Sequence, residues 1–338
     1  MSDTLKQIAD NLGVTTINGN YLSGIADYYG VDLATSTDLI ADIRIAIGGD
    51  LAETNDYLQD IVTTLGGFEP VNGNWMEAWL AITAAPAFDS DAQAFITATA
   101  ITDTTEQNAI NALVIGLKTD LLWTKMLAVY PFVGGTATTC KYNLKNPLDT
   151  DAAFRLNFVG GWTFSNNGIQ PNGINTYANT FLAPSTYWTL NDGSVSAYSR
   201  TNVNESKVLY GSKGAGFSSL VYPVINTTTA NVFQNGLPSV SISPTPTTTA
   251  VNLISSRINP NELIVAVNGT ATPYAQTPTA LSPVSIFLSA RNNNNASDDL
   301  HSSRELAFAH IGTGLTQAEC ILLYNRIQTF QTTLGRQV

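Results

Sequence analysis

Charge is scarce in this chain. Asp, Glu, Lys and Arg make up 12% of its 338 residues, about half the usual quarter. That argues against the dense charged coat of a cytosolic enzyme. Thr, Asn, Ser and Ala are abundant instead, which gives a surface of hydroxyls and amides. Cysteine is nearly missing: Cys140 and Cys320 are too few and too isolated for a disulfide framework or a zinc site. They read as buried free thiols. No apolar run approaches the roughly 18–20 residues that span a bilayer, so no membrane partner is expected. The start, Met1-Ser-Asp-Thr-Leu-Lys, lacks the basic and apolar regions of a signal peptide, and export by that route is not expected.

The little charge present is uneven. Residues 1–131 carry 17 Asp and Glu against 4 Lys and Arg, whereas residues 132–338 carry 9 against 11. An acidic front half disfavours nucleic acid, because phosphate contacts need clustered Lys and Arg. It reads as solvated helix faces or as a surface for a basic docking partner.

The first 66 residues hold a degenerate repeat. Leu5-x-x-Ile8-Ala9-x-x-Leu12-Gly13 returns as Leu22-x-x-Ile25-Ala26-x-x-Tyr29-Gly30, then from Ile40 to Gly48 and from Leu58 to Gly66. Apolar residues at i, i+3, i+4 and i+7 form a helical stripe, and the following Gly stops each helix. Helices this short need a partner surface to be stable. The pattern predicts a short-helix repeat over 1–67 for docking or oligomerisation.

Residues 68–135 then read as a helical connector. Asp103-Thr-Thr-Glu106 has capping-box spacing and precedes a stripe of Ile110, Leu113, Val114, Leu117 and Leu121. Trp75, Trp79 and Trp123 read as helix-packing aromatics rather than a sugar pocket. Pro131 and Gly134-Gly135 break the helix and are expected to mark a domain boundary.

From residue 136 the pattern changes to short Val, Ile, Phe, Tyr and Thr runs between Asn, Gly and Pro clusters. Strands are predicted over 153–158, 195–199, 208–211, 218–224, 231–234, 251–255, 262–267 and 284–290. Asn268-Gly269 predicts a two-residue type I′ hairpin, since both residues tolerate positive φ. Thr316-Gln-Ala-Glu319 is a capping box opening a last helix with Cys320, Leu323, Tyr324, Ile327 and Leu334 on one face. The predicted class is α+β and multidomain: a short-helix region, then an antiparallel β-sandwich over 136–338 closed by a C-terminal helix that covers a sheet edge or face.

Several stretches carry a family resemblance. Leu122-Trp-Thr-Lys-Met-Leu-Ala-Val-Tyr-Pro-Phe-Val-Gly-Gly135, running on to residues 143–156, resembles a junction that recurs in bacteriophage virion proteins. There a helical region passes into a laminin-G/concanavalin-like jelly roll. Residues 157–169 resemble that domain's opening strands, 172–181 its second turn, and Leu263-Ile-Val-Ala-Val-Asn-Gly-Thr270 its late hairpin. Residues 286–292 and 307–316 resemble its last strands, and 324–338 the closing helix of tailed-phage structural proteins. The resemblance implies a virion appendage made in the bacterial host cytoplasm, a capsid-attached head fibre. It further implies a homotrimer held to capsid or other virion proteins through its N-terminal region, with the sandwich outward. The alternative is a tail fibre, baseplate part or adhesin that binds host surface glycan through loops such as Tyr187-Trp188.

The Glu-x-Asp-x-Glu strand of concanavalin-like glucanases does not occur, and Glu262 and Glu319 stand apart. His301 and His310 join no Cys or Asp cluster, and His310 reads as structural. No Gly-x-Ser-x-Gly elbow is present. Tyr210-Gly-Ser-Lys-Gly-Ala-Gly216 lacks the Gly-Lys-Ser/Thr of a phosphate loop and reads as a turn. No enzyme activity, catalytic residue or cofactor is expected. Calcium at the sandwich rim has one candidate cluster, Asp298 and Asp299 after an Asn run, against the plainer reading of a polar loop. Four Asn-x-Ser/Thr sequons, at Asn204, Asn226, Asn268 and Asn295, carry no meaning in a protein made in bacteria.

Overall fold

A computed structural model describes residues 88–215, 220–225, 230–242, 250–295 and 297–338. The repeat over 1–67, Trp75 and Trp79 lie outside these residues. The compact unit that they form begins at Phe88.

It opens with two capped helices. In α1 (Ser90–Thr99) the Asp89 carboxylate accepts from Asp91 N at 3.0 Å, and in α2 (Thr104–Thr119) Asp103 accepts from Glu106 N at 2.9 Å. Only half of the predicted capping box forms at α2. The Glu106 side chain reaches across instead and accepts from Gly134 N at 3.1 Å. Of the predicted stripe, Ile110, Leu113, Val114 and Leu117 are buried, but Leu121 is 76% exposed. The helix has ended by then, and Leu121 takes a positive φ of 59° that turns Leu122 inward instead.

The strands follow in order: β1 (Met126–Tyr130), β2 (Asn157–Val159), β3 (Thr163–Ser165), β4 (Gly168–Gln170) and β5 (Tyr177–Asn179). Two single-turn helices, α3 (Ala137–Cys140) and α4 (Pro184–Tyr187), lie in the loops. Then come β6 (Gly193–Ser199), β7 (Tyr210–Lys213), β8 (Leu220–Ile225), β9 (Ala230–Gln234) and β10 (Val240–Ser241). The rest are β11 (Asn252–Asn259), β12 (Glu262–Val267), β13 (Thr270–Ala275), β14 (Phe287–Leu288), β15 (Arg291–Asn293), β16 (Ser297–Asp299) and β17 (Leu306–Gly312). Helix α5 (Gln317–Thr333) closes the chain.

Among the described residues these strands form two sheets. One runs β13-β12-β11-β6-β17-β4-β3 with β1 added beside β17; the other runs β10-β9-β8-β7-β14-β5-β2, with β15 beside β7 and β16 beside β15. The pairings are antiparallel except β15 with β7. Inner-face residues of both sheets share one core. Val195, Leu253, Leu263 and Ile311 of the first meet Tyr210, Leu288, Ala178 and Val232 of the second. The Tyr210 hydroxyl and Ser255 Oγ, 3.1 Å apart, tie the sheets inside that core. The fold is therefore the predicted antiparallel β-sandwich with a closing helix.

The outer face of the first sheet is covered as well. Tyr198, Ile254, Ile264 and Phe308 pack under Phe95, Leu113 and Leu117 of the first helices and Leu323, Ile327 and Phe330 of α5. This double cover explains why every residue of β6 and β17 is buried, where a one-sided strand would alternate. Trp123 belongs to this layer, with Lys145 Nζ 4.4 Å above its ring. The Thr316–Glu319 capping box forms, and Gly335 takes φ +66° past the helix end. Arg326 forks onto Asp120 at 2.7 and 2.9 Å, lying where a Cβ on Gly116 would meet it at 2.8 Å.

Three further expectations need correction. Pro131 and Gly134-Gly135 do not separate domains, because β1 pairs with β17 from Met126↔Gly312 to Tyr130↔Ala309. A connector over 68–135 therefore gives way to residues 88–135 folded into the sandwich unit. The strand predicted over 153–158 begins only at Asn157, since Asp151–Ala153 is a 3-10 turn and Phe154 takes φ +59°. The one predicted over 284–290 is paired as a strand only at Phe287–Leu288, and Ser289 next to it takes φ +62°. The Asn268-Gly269 hairpin stands as predicted, with φ of 46° and 82° between Val267 and its partner Thr270.

Candidate functional site

The two calcium candidates are divided between different partners. Arg291 forks onto Asp299 at 2.7 and 2.6 Å, and Asn293 donates to the same carboxylate at 3.2 Å. Asp298 lies instead 3.2 Å from His301 Nε2, whose Nδ1 bonds the Thr176 carbonyl at 3.0 Å. Adjacent residues of a strand point to opposite faces, so these carboxylates do not converge. Among the described residues no three His, Cys, Asp or Glu side chains gather as a metal site would require.

His310 is fully buried in a closed chain of donors. Ser194 Oγ donates to the Thr313 carbonyl at 2.6 Å and so accepts from His310 Nε2 at 3.1 Å, which leaves Nδ1 to accept from Ser196 Oγ at 2.6 Å. Burial holds this imidazole neutral and pushes its pKa down to about 3. Burial also pushes the Cys140 and Cys320 thiols up to about 11 and about 12, away from thiolate reactivity. Of Tyr187-Trp188, the Trp packs into the core over Gly193, while Tyr187 is 42% exposed and meets the Phe154 ring edge-on at 4.8 Å.

A different set of residues makes the clearest surface for a ligand. Strand β2 edges the second sheet and β3 edges the first, and Gly160-Gly161-Trp162 crosses between them. Phe158, Trp162 and Phe164 close that open edge of the sandwich. Their ring centroids stand 5.3, 4.9 and 6.5 Å apart in tilted and edge-on pairs. The Trp162 Nε1 donates to the Val159 carbonyl at 3.0 Å. Its hydrogen-bonding capacity is thereby used, and the half-buried indole offers only its apolar surface.

An amide-rich turn lies beside these rings. Asn172 Oδ1 accepts from Ile174 N at 2.9 Å and Asn175 N at 3.2 Å, and Asn172 Nδ2 donates to Asn175 Oδ1 at 2.7 Å. Gly160 takes φ +83°, and a Cβ there would stand 2.5 Å from the Asn175 carbonyl oxygen, so this close approach requires glycine. The arrangement sets a fixed apolar face beside exposed amides, the pairing that suits the C–H faces and hydroxyls of a sugar. Nothing in the sequence marks the three rings as one site. Their spacing, Phe-x-x-x-Trp-x-Phe, is legible, but their meeting depends on two different sheet edges.

No protein-family model matches the chain, and no curated protein matches it in sequence. Solved structures do. CBM40 of the Ruminococcus gnavus IT-sialidase is 12% identical over 40% of this chain and 83% of its own, with a TM-score of 0.32. Domain 4 of a Geobacillus stearothermophilus extracellular arabinanase, in complex with arabinotriose, is 14% identical over 59% and 98%, with a TM-score of 0.36. A botulinum neurotoxin type C structure, whose cell entry depends on two ganglioside molecules, is 8% identical over 62% and 53%, with a TM-score of 0.41. The chain spans 27% of the length of the Streptococcus pneumoniae NanB sialidase and 38% of a Trypanosoma rangeli sialidase that it also matches. At these scores none of the likenesses bears on what this chain binds.

Proposed function

We propose that this chain is an appendage of a bacteriophage particle whose sandwich binds carbohydrate on the host side. The observation that carries the binding is the Phe158–Trp162–Phe164 edge beside the Asn172–Asn175 turn. Aromatic faces exclude water from the apolar side of a sugar ring, and rigid amides then pair with its hydroxyls without a further ordering cost. The virion setting rests on the sequence resemblance of residues 122–156, the late hairpin and the closing helix. So do attachment to the capsid, the homotrimer and docking through residues 1–67.

A glycan array probed with the full chain and with Trp162→Ala tests the binding. Signal that is lost in the variant supports it, and an array without signal rejects it. Immunogold microscopy of intact particles, with antibody against residues 136–338, tests the setting. Gold on the capsid supports a head fibre, gold at the tail tip supports the tail fibre alternative, and unlabelled particles reject both.

A further inference from the structure

A cleft of about 240 Å³ opens where four segments meet. They are the turn from Ala100 to Asp103, Glu106 in the first turn of α2, the glycine turn at Gly134, and Asn166 between β3 and β4. The walls are held by bonds already described. Asp103 caps α2 through Oδ1, and Glu106 accepts from Gly134 N through Oε1. The second oxygen of each carboxylate makes no hydrogen bond among the described residues, and neither does the Asn166 side chain. Gly134 and Gly135 take φ of 77° and 61°, and a Cβ on Gly135 would stand 2.9 Å from Asn166 Oδ1. The wall thus admits no side chain at that point. Ile101, 6% exposed, supplies an apolar part of the lining.

We propose that this cleft is a subsite for one neutral sugar residue, whose hydroxyls donate to Asp103 and Glu106 and bond the Asn166 amide. The inference rests on the carbohydrate-binding reading and adds a second contact region, reached from the β3 strand that carries Phe164. Hydroxyl-to-carboxylate bonds are charge-assisted and stronger than neutral ones. A bare divalent ion suits the cleft less well. It would find two carboxylates only, and the buried Arg336 guanidinium stands behind the wall, donating to the Asn166 carbonyl at 3.3 Å. That positive charge offsets part of the acidic field. A polyol needs acceptors rather than net charge, so it is less affected.

The test is calorimetric titration of the full chain with a panel of methyl hexosides, with and without calcium. It compares the wild type with the double variant Asp103→Asn/Glu106→Gln and with Trp162→Ala. Asn still caps a helix and Gln still accepts from Gly134 N, so the double variant is expected to melt near the wild type. The wild type should bind at least one hexoside without calcium. The double variant should bind it about tenfold more weakly, the loss of one charge-assisted bond. Trp162→Ala reads the aromatic edge separately: made on that background, Asp103→Asn/Glu106→Gln should still weaken hexoside binding about tenfold. No hexoside bound, unchanged binding in the double variant, or binding seen only with calcium would each overturn the subsite. Loss of binding in Trp162→Ala alone would do so too, while leaving the aromatic edge as the binding surface.

Discussion

Arg336, near the C-terminus, donates through Nη2 to the carbonyl of Pro131 at 2.6 Å, some 205 residues earlier in the chain. Its Nη1 donates to the Phe132 carbonyl at 2.7 Å and its Nε to Gln331 Oε1 at 2.6 Å. The side chain is 1% exposed, and burial pushes its pKa down to about 10, still charged at neutral pH. The tail after α5 is thus fastened to the segment that joins β1 to the rest of the sandwich.

Arg336→Ala should therefore destabilise the sandwich unit by about 2–4 kcal/mol, because several buried carbonyls lose their donors at once. Arg336→Lys should recover little of this, since one ammonium cannot reproduce the planar fork. Urea unfolding followed by tryptophan fluorescence checks both, and a midpoint within error of wild type for the Ala variant would contradict the assignment.

His310 makes stability depend on pH. Its folded pKa lies near 3, against an ordinary value near 6.5. Between those values the unfolded chain binds a proton that the folded chain does not. The His310 contribution should then be flat above pH 6.5 and fall by about 1.4 kcal/mol per unit as pH drops below it, levelling near pH 3. His310→Gln should flatten the segment between pH 6.5 and 5, where carboxylates contribute little. Melting temperatures measured across that range decide the matter.

Gly269 sits at φ +82°, and a Cβ there would lie 2.6 Å from the Tyr324 ring of α5. Gly269→Ala combines backbone strain with this clash and should cost about 1–3 kcal/mol. Adding Tyr324→Ala to it should restore part of that loss if the clash matters, which a double-mutant cycle reads directly.

Trp162→Ala should weaken glycan binding about tenfold, the scale of one lost aromatic contact. It also opens the sandwich edge, so a fall in melting temperature is expected with it. Asn175→Ala is the cleaner companion, because its side chain is exposed and lies outside the core. Surface plasmon resonance against the best array hit should show weaker binding for both variants at unchanged β-sheet circular dichroism for Asn175→Ala.

Much of the sandwich is legible locally. The Asn268-Gly269 hairpin, the Thr316–Glu319 box and the strand at Glu262–Val267 are written in a few adjacent residues each, and all three form as the chain spells them. The misreadings share one cause. Pro131 and the glycines after it look like a boundary because they stop a helix, yet the segment before them is held by β17, far along the chain. Leu121 fits the helical period of α2 but lies past its last turn. The strands predicted over 153–158 and 284–290 contain Phe154 and Ser289, which take φ of 59° and 62°, a conformation that neither residue type favours.

Adjacent residues alone determined the turns, the helix caps and the change from helical to strand periodicity, since each depends on backbone preferences a few residues wide. Tertiary structure decided which carboxylates meet cations, which aromatics reach the surface and where the compact unit begins. Asp298 and Asp299 look like a cation site in sequence, and strand alternation with Arg291 and His301 draws them apart. Phe158, Trp162 and Phe164 carry no local mark of a shared site, and they become a surface because the two sheets end there. Such placement depends on long-range pairing, and residues distant in the chain meet only once both sheets have formed.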